Sequence, residues 1–289
     1  MLRAVYTWGV GMVLAGLMAG CSTTASGLQS PLAAFEQSQV FHPVQWPDGD
    51  WSKQNQPIED AWFVAADGTR LHGWYFPHED PVAVVLFAHG NAGHVGDQVE
   101  TLRLLHDRHR LSIMTFDYRG YGRSEGTPSE SGILQDARAA RRWLALRESI
   151  EESDIVLFGQ SLGGGVMVDL AAKDGARGLV LGNTFTSLPD VATAHAPLLP
   201  ARFLMRNRLD SLSKIGNYHG PLFQVHGSGD RLIPWDQARR LFSAANEPKR
   251  FESNSGDHNS PLTEANHEAL AEFLQSLSAE SSTTVADDA

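Results

Sequence analysis

Gly159-Gln160-Ser161-Leu162-Gly163 is the stretch best equipped for chemistry. It follows the run Asp154–Phe158 directly and leads straight into a helical stretch, so its G-x-S-x-G spacing reads as a nucleophile elbow. Glycine on both sides relieves the crowding of a sharp strand-to-helix turn whose central residue is held in a strained conformation. Ser161 is then expected at the carboxyl end of a strand and at a helix N-terminus, where partial positive charge favours a developing anion. Such an anion also needs aimed donors. His89-Gly90-Asn91-Ala92-Gly93 follows the apolar run Ala83–Ala88 in the pattern of an HG-type loop, so the backbone N–H groups of Asn91 and Leu162 are the expected oxyanion pair. The His89 imidazole is expected to hold that loop rather than to react.

The elements that must position these residues follow from the hydrophobic pattern. Strands are predicted at Ala61–Ala65, Arg70–Phe76, Ala83–Ala88, Ser112–Phe116, Ile155–Phe158, Gly178–Leu181, Leu222–Val225 and Lys249–Glu252. Several are continuously apolar, as strands buried on both faces are. Helices are predicted at Val95–His109, Glu130–Ser149, Leu162–Asp174, Pro234–Asn246 and Ser260–Leu277. This alternation implies an α/β fold with a mostly parallel eight-stranded sheet and helices on both faces. The expected domain is 58–278. Residues 21–57 read as a tether and irregular lead-in, and 279–289 as a disordered tail.

The chain has 289 residues, 42% of them hydrophobic and 20% charged, with a net charge of −11. That composition supports a packed core, and the acidic balance argues against nucleic acid as a partner. Residues 1–20 carry one charge, Arg3, ahead of an apolar run, and read as a secretory signal peptide. Met18-Ala19-Gly20-Cys21 resembles a bacterial lipobox, which implies lipidation of Cys21, the single cysteine, and a membrane contact through that anchor. The expected location is the bacterial cell envelope, on the outer membrane where there are two; a secreted or periplasmic protein is the alternative.

Two late loops can complete the chemistry. Asn254-Ser255-Gly256-Asp257-His258-Asn259 follows the last predicted strand, and His226-Gly227-Ser228-Gly229-Asp230 follows the strand before it. With the elbow and the HG-type loop, these motifs resemble the alpha/beta-hydrolase superfamily from about Ile58 to Leu277. Phe116-Asp117-Tyr118-Arg119-Gly120-Tyr121-Gly122-Arg123-Ser124 looks like that fold's loop after its fourth strand. Asn183-Thr184-Phe185-Thr186-Ser187 and Asp210-Ser211-Leu212 look like the branch that includes the eukaryotic alpha/beta-hydrolase-domain (ABHD) proteins. The resemblance implies the order serine, acid, histidine. His258 in its loop is then the expected base, whereas His267, inside the last helix among charges, is expected at the surface. Asp230 is the expected acid, with Asp236 as runner-up. Asp117 and Arg119 are expected to form a structural turn and its ion pair.

What the resemblance implies is a serine hydrolase acting on esters or thioesters, acylated substrates included, without a cofactor. A peptidase similar to the prolyl-oligopeptidase group and a non-catalytic envelope-binding protein are the alternatives. No metal site is expected, because His106 and His109 share a helix face but are surrounded by arginines. Gly120-Tyr121-Gly122 lacks the third glycine of a dinucleotide loop. The apolar run Ala196–Met205, inside the insert between Asn183 and Gly220 where the resemblance implies a small cap, is expected either to line an acyl pocket or to pack on the core.

Overall fold

The computed structural model describes residues 31–53, 56–198 and 200–284. Residues 1–20, expected to be a signal peptide, and Cys21 lie outside the described residues. One eight-stranded sheet organises the chain: β1 Glu59–Val64, β2 Arg70–Phe76, β3 Ala83–Ala88, β4 Leu111–Phe116, β5 Val156–Gln160, β6 Gly178–Gly182, β7 Leu222–Gly227 and β8 Lys249–Asn254. Their spatial order is β8-β7-β6-β5-β3-β4-β2-β1. Pairing is parallel from β8 through to β4, while β2 pairs antiparallel with both β4 and β1. All eight predicted strands are present, within two residues of their expected ends.

The burial pattern explains why. Every residue of β3 and β4 is buried, as central strands covered on both faces must be. Edge strand β1 alternates instead, with Ala61 and Phe63 inward and Trp62 and Val64 outward. Eight helices accompany the sheet among the described residues: α1 Pro31–Val40, α2 Val99–His109, α3 Glu130–Glu148, α4 Leu162–Asp174, α5 Leu188–His195, α6 Ala201–Leu204, α7 Trp235–Ala244 and α8 Glu264–Thr284. Ile133 and Leu144 of α3 and Val166 and Leu170 of α4 fill one face of the sheet. Leu102 and Leu105 of α2 and Leu270 and Phe273 of α8 fill the other. Each such side chain contributes roughly 1.5–3 kcal/mol when fully buried.

Three expectations about the periphery are corrected. Residues 31–53 are part of the fold rather than a solvated tether. Val40 and Phe41 are buried, and the buried Glu36 carboxylate accepts from the Arg206 and Asn207 amides at 2.9 and 2.7 Å. The apolar residues of this segment fall at irregular intervals and carry no periodic signal, which is why its docking is not legible in the sequence. At the other end α8 runs to Thr284, into the expected disordered tail. Past Leu277 a helix can propagate through Ser, Ala and Glu without any apolar pattern to announce it.

The third correction concerns His267, which is only 4% exposed. Its Nδ1 lies 3.0 Å from His109 Nε2, so one ring donates to the other and joins α8 to α2. His106 points elsewhere, to the Pro77 carbonyl. Burial, then the neighbouring His267 and Arg108, pull His109 from its ordinary value down to about 4, and burial also lowers His267. Both rings are therefore neutral in the fold but titrate near 6.5 when unfolded. Between those values the unfolded chain binds more protons, so stability present above pH 6.5 is lost as pH falls toward 4. Urea unfolding at pH 7 and pH 5 should show a loss on the order of 1–2 kcal/mol from this pair. A His109→Leu/His267→Leu double variant should lose correspondingly less over the same interval. An equal acid loss in both proteins would remove the pair from the account.

Candidate active site

The elbow forms as its residue types require. β5 ends at Gln160, α4 starts at Leu162, and Ser161 between them has φ 52° and ψ −117°, a conformation costing of order 1–3 kcal/mol for a non-glycine residue. The turn is pinned from both sides: Ser161 N–H donates to the Gly182 carbonyl at 2.9 Å, and Thr184 Oγ1 donates to the Ser161 carbonyl at 2.8 Å. A β-carbon on Gly159 would stand 2.4 Å from the Gly163 carbonyl oxygen, and one on Gly163 would stand 2.0 Å from that of Ala88. The second contact is with the backbone of β3, which cannot yield. Gly163→Ala should therefore lower stability by about 3 kcal/mol or prevent folding, read as a drop in thermal midpoint or soluble yield. An unchanged midpoint would mean that the elbow is looser than this packing.

The structure brings together the three side chains expected to act with one another. His258 Nε2 lies 3.0 Å from Ser161 Oγ, and His258 Nδ1 lies 2.7 Å from Asp230 Oδ2. The other Asp230 oxygen accepts from the Leu232 and Ile233 amides at 2.8 and 2.9 Å. Burial raises the Asp230 pKa, but hydrogen bonds from His258 and Ile233 outweigh it, and the net shift is downward. The group stays a carboxylate, as an acceptor for His258 must. Asp236, the runner-up, lies in the first turn of α7 and is excluded by this geometry.

The HG-type loop reaches the elbow. Gly90 lies beside the nucleophile, since a β-carbon there would be 3.7 Å from Ser161 Cβ. The Asn91 carbonyl accepts from His42 N–H and Tyr121 O–H at 2.9 and 2.8 Å, and its side-chain amide donates to the Val40 carbonyl. Those contacts fix the peptide planes of the loop. Leu162, first residue of α4, places its N–H at a helix N-terminus. His89 is fully buried, its Nδ1 donates to the Gly90 carbonyl at 2.8 Å, and burial lowers its pKa, so it holds the loop as a neutral ring.

Several supporting residues were missed in the sequence. Asn183, with φ 46°, donates to the His258 carbonyl and accepts from Gly227 N–H, both at 2.9 Å, which ties the histidine loop to the end of β7. An asparagine directly after a strand, tolerant of the left-handed region, was the available signal. His226 donates to the Ile233 carbonyl and braces the acid loop. Tyr118 and Tyr121 donate to the carbonyls of His89 and Asn91. Arg119 does not pair with Asp117: it pairs with Asp136 and Asp67, while Asp117 accepts from Val95 N–H. Of the apolar run Ala196–Met205, Ala201 is buried and Met205 packs against the core, whereas Leu198 and Phe203 are 99% and 91% exposed. No group of three or more His, Cys, Asp or Glu among the described residues is placed to hold a metal ion.

A family model described as serine aminopeptidase, S33, matches residues 79–212, which include Ser161 but end before Asp230 and His258. An uncharacterized protein of Mycobacterium tuberculosis is 38% identical over 240 residues, 82% of this chain and 85% of that protein. The alpha/beta hydrolase domain-containing protein WAV2 of Arabidopsis thaliana is 33% identical over 238 residues, 74% of this chain and 77% of that protein. Among solved structures, an esterase of Pyrococcus furiosus superposes with a TM-score of 0.67 at 17% identity, over 82% of this chain and 97% of that one. An alpha-beta hydrolase from Vibrio vulnificus gives 0.65 at 20% identity, over 91% and 98%. These last two likenesses concern the fold.

Proposed function

The chain belongs to the alpha/beta-hydrolase superfamily, and from that premise we propose that it is a serine hydrolase cleaving carboxylic esters or thioesters through an acyl-enzyme. The reading is carried by one relay, Ser161 Oγ to His258 Nε2 at 3.0 Å and His258 Nδ1 to Asp230 Oδ2 at 2.7 Å. His258 takes the Ser161 proton as Oγ bonds to the substrate carbonyl carbon, and the carbonyl oxygen becomes an anion facing the Asn91 and Leu162 amides. Collapse of that adduct breaks the bond to the leaving alcohol or thiol, which receives the proton from His258. Water then loses a proton to His258 as it attacks the acyl-enzyme, and the proton returns to Ser161 as the acid departs. Asp230 stays ionised throughout, orienting the ring and stabilising its charged form.

The envelope placement is part of the proposal: residues 1–20 direct export and Cys21 carries the lipid. Loss of fatty-acid incorporation in Cys21→Ala is the expected result, and incorporation that survives the change refutes the anchor. Peptide-bond cleavage is the second reading, supported by the aminopeptidase description of the family model. A serine-directed fluorophosphonate should label the folded chain, and esters, thioesters and aminoacyl amides of matched acyl group should then rank with amides slowest. Amides turning over fastest would move the assignment to a peptidase. Absence of labelling would favour a binding protein on a hydrolase scaffold.

A further inference from the structure

We propose that the tip of the cap, built on Leu198, Phe203 and Leu204, is a lipid-bilayer contact surface that holds the mouth of the Ser161 site against the membrane. These side chains are 99%, 91% and 43% exposed, three large apolar groups within seven positions of a chain whose net charge is −11. From Ala196 to Arg208 there is no acidic residue and there are three arginines, Arg202, Arg206 and Arg208. Arg202 is paired with Asp190 and the Arg208 guanidinium donates to the Arg202 carbonyl, so two of the three arginine heads are held on the segment that carries the apolar tip. Exposed apolar residues bordered by arginine are the composition of an interfacial segment.

The cap is tied both to the candidate site and to the arriving chain. His195, which ends α5, contacts the Leu232 carbonyl at 2.8 Å, and the Leu232 amide donates to Asp230. α1 crosses the same face: Glu36 binds the Arg206 and Asn207 amides, and the Val40 carbonyl accepts from the Asn91 side chain. The chain preceding Pro31 therefore joins the fold beside the cap. The ten positions from Cys21 to Pro31 span at most about 35 Å when fully extended, so an anchor at Cys21 would keep this face near the bilayer. A bilayer, rather than a second copy of the chain, is thus the occupant that the N-terminal sequence and the apolar tip share. The inference uses the envelope placement above only for the direction of arrival, and it is independent of which bond is cleaved.

The test must read the cap and not the anchor. Because Cys21 is the only cysteine, Cys21→Ser combined with Phe203→Cys gives the full chain one site for an environment-sensitive fluorophore. Leu146→Cys near the far end of α3, 76% exposed, is the control position, and Leu198→Cys is a second cap position. Reconstituted with phosphatidylethanolamine/phosphatidylglycerol vesicles, the cap labels should shift to shorter wavelength and become several-fold less accessible to iodide, while the Leu146 label stays as it is in buffer. Equal quenching of all labels on chain that sediments with vesicles would overturn the proposal, since the N-terminal segment alone would then be holding it. So would failure to sediment, or shielding of the cap labels without vesicles that grows with protein concentration and marks a second copy as the occupant. Fluorophosphonate reaction of Ser161 on the same preparations separates failure of the hydrolase reading from failure of this one.

Discussion

Ser161→Ala should reduce ester hydrolysis by about 10⁴-fold or more, equivalent to about 5.5 kcal/mol of barrier, and eliminate fluorophosphonate labelling while leaving the protein folded. The loss is large because the proposed reaction forms its bond to the substrate at Ser161 Oγ, which lies 3.0 Å from His258 Nε2. The fold should survive because the elbow is held by backbone and by Thr184, through Gly182, Thr184 and Gly164, none of which uses Ser161 Oγ. Alanine carries the same φ of 52° at no greater steric cost than serine. The measurements are kcat/KM on a short activated ester, the pre-steady-state burst of leaving group, and a thermal midpoint. Residual activity within tenfold of wild type, with the burst intact, would mean that some other nucleophile operates.

The sheet and the side chains of the candidate site are legible in the sequence for the same reason: both depend on local types in a fixed order. β3 and β5 are short apolar runs ending in glycine-bearing motifs, so strand, turn and nucleophile are read together. His258 and Asp230 came from the serine-acid-histidine order and from their places in loops after β8 and β7, and the distances between them agree with that choice. What stayed hidden depends on contacts between distant segments. Nothing near His267 in sequence discloses that His109, on another helix, supplies its partner and removes it from solvent. Nothing in the polar residues around Glu36 discloses two amide donors at Arg206 and Asn207. The cap failed in the opposite sense. Its apolar run suggests a pocket wall or a core, yet among the described residues only Ala201 there is fully packed, with Met205 partly covered, and Leu198 and Phe203 face outward.

Asp230→Asn should cost nearly as much as loss of the nucleophile, on the order of 10⁴-fold in kcat, although it changes one atom and no volume. The reason lies in the partners of the two carboxylate oxygens. Oδ1 accepts from the Leu232 and Ile233 amides, and only an oxygen can remain there. Asparagine must therefore turn its NH₂ toward His258 Nδ1, where Oδ2 accepts at 2.7 Å in the native protein. Facing a donor, Nδ1 becomes the unprotonated nitrogen and the ring proton moves to Nε2, which can then no longer accept the Ser161 proton. Both N–H acceptor contacts and the packing are conserved, so the thermal midpoint at neutral pH should fall far less than activity, by no more than about 1–2 kcal/mol for one altered charged hydrogen bond. Reaction with fluorophosphonate should slow in parallel with kcat, because both need a deprotonated serine. A variant that retains rapid fluorophosphonate reaction and wild-type kcat would show that the His258 tautomer is set elsewhere, with His226, 3.6 Å from Asp230 Oδ2, the next residue to change.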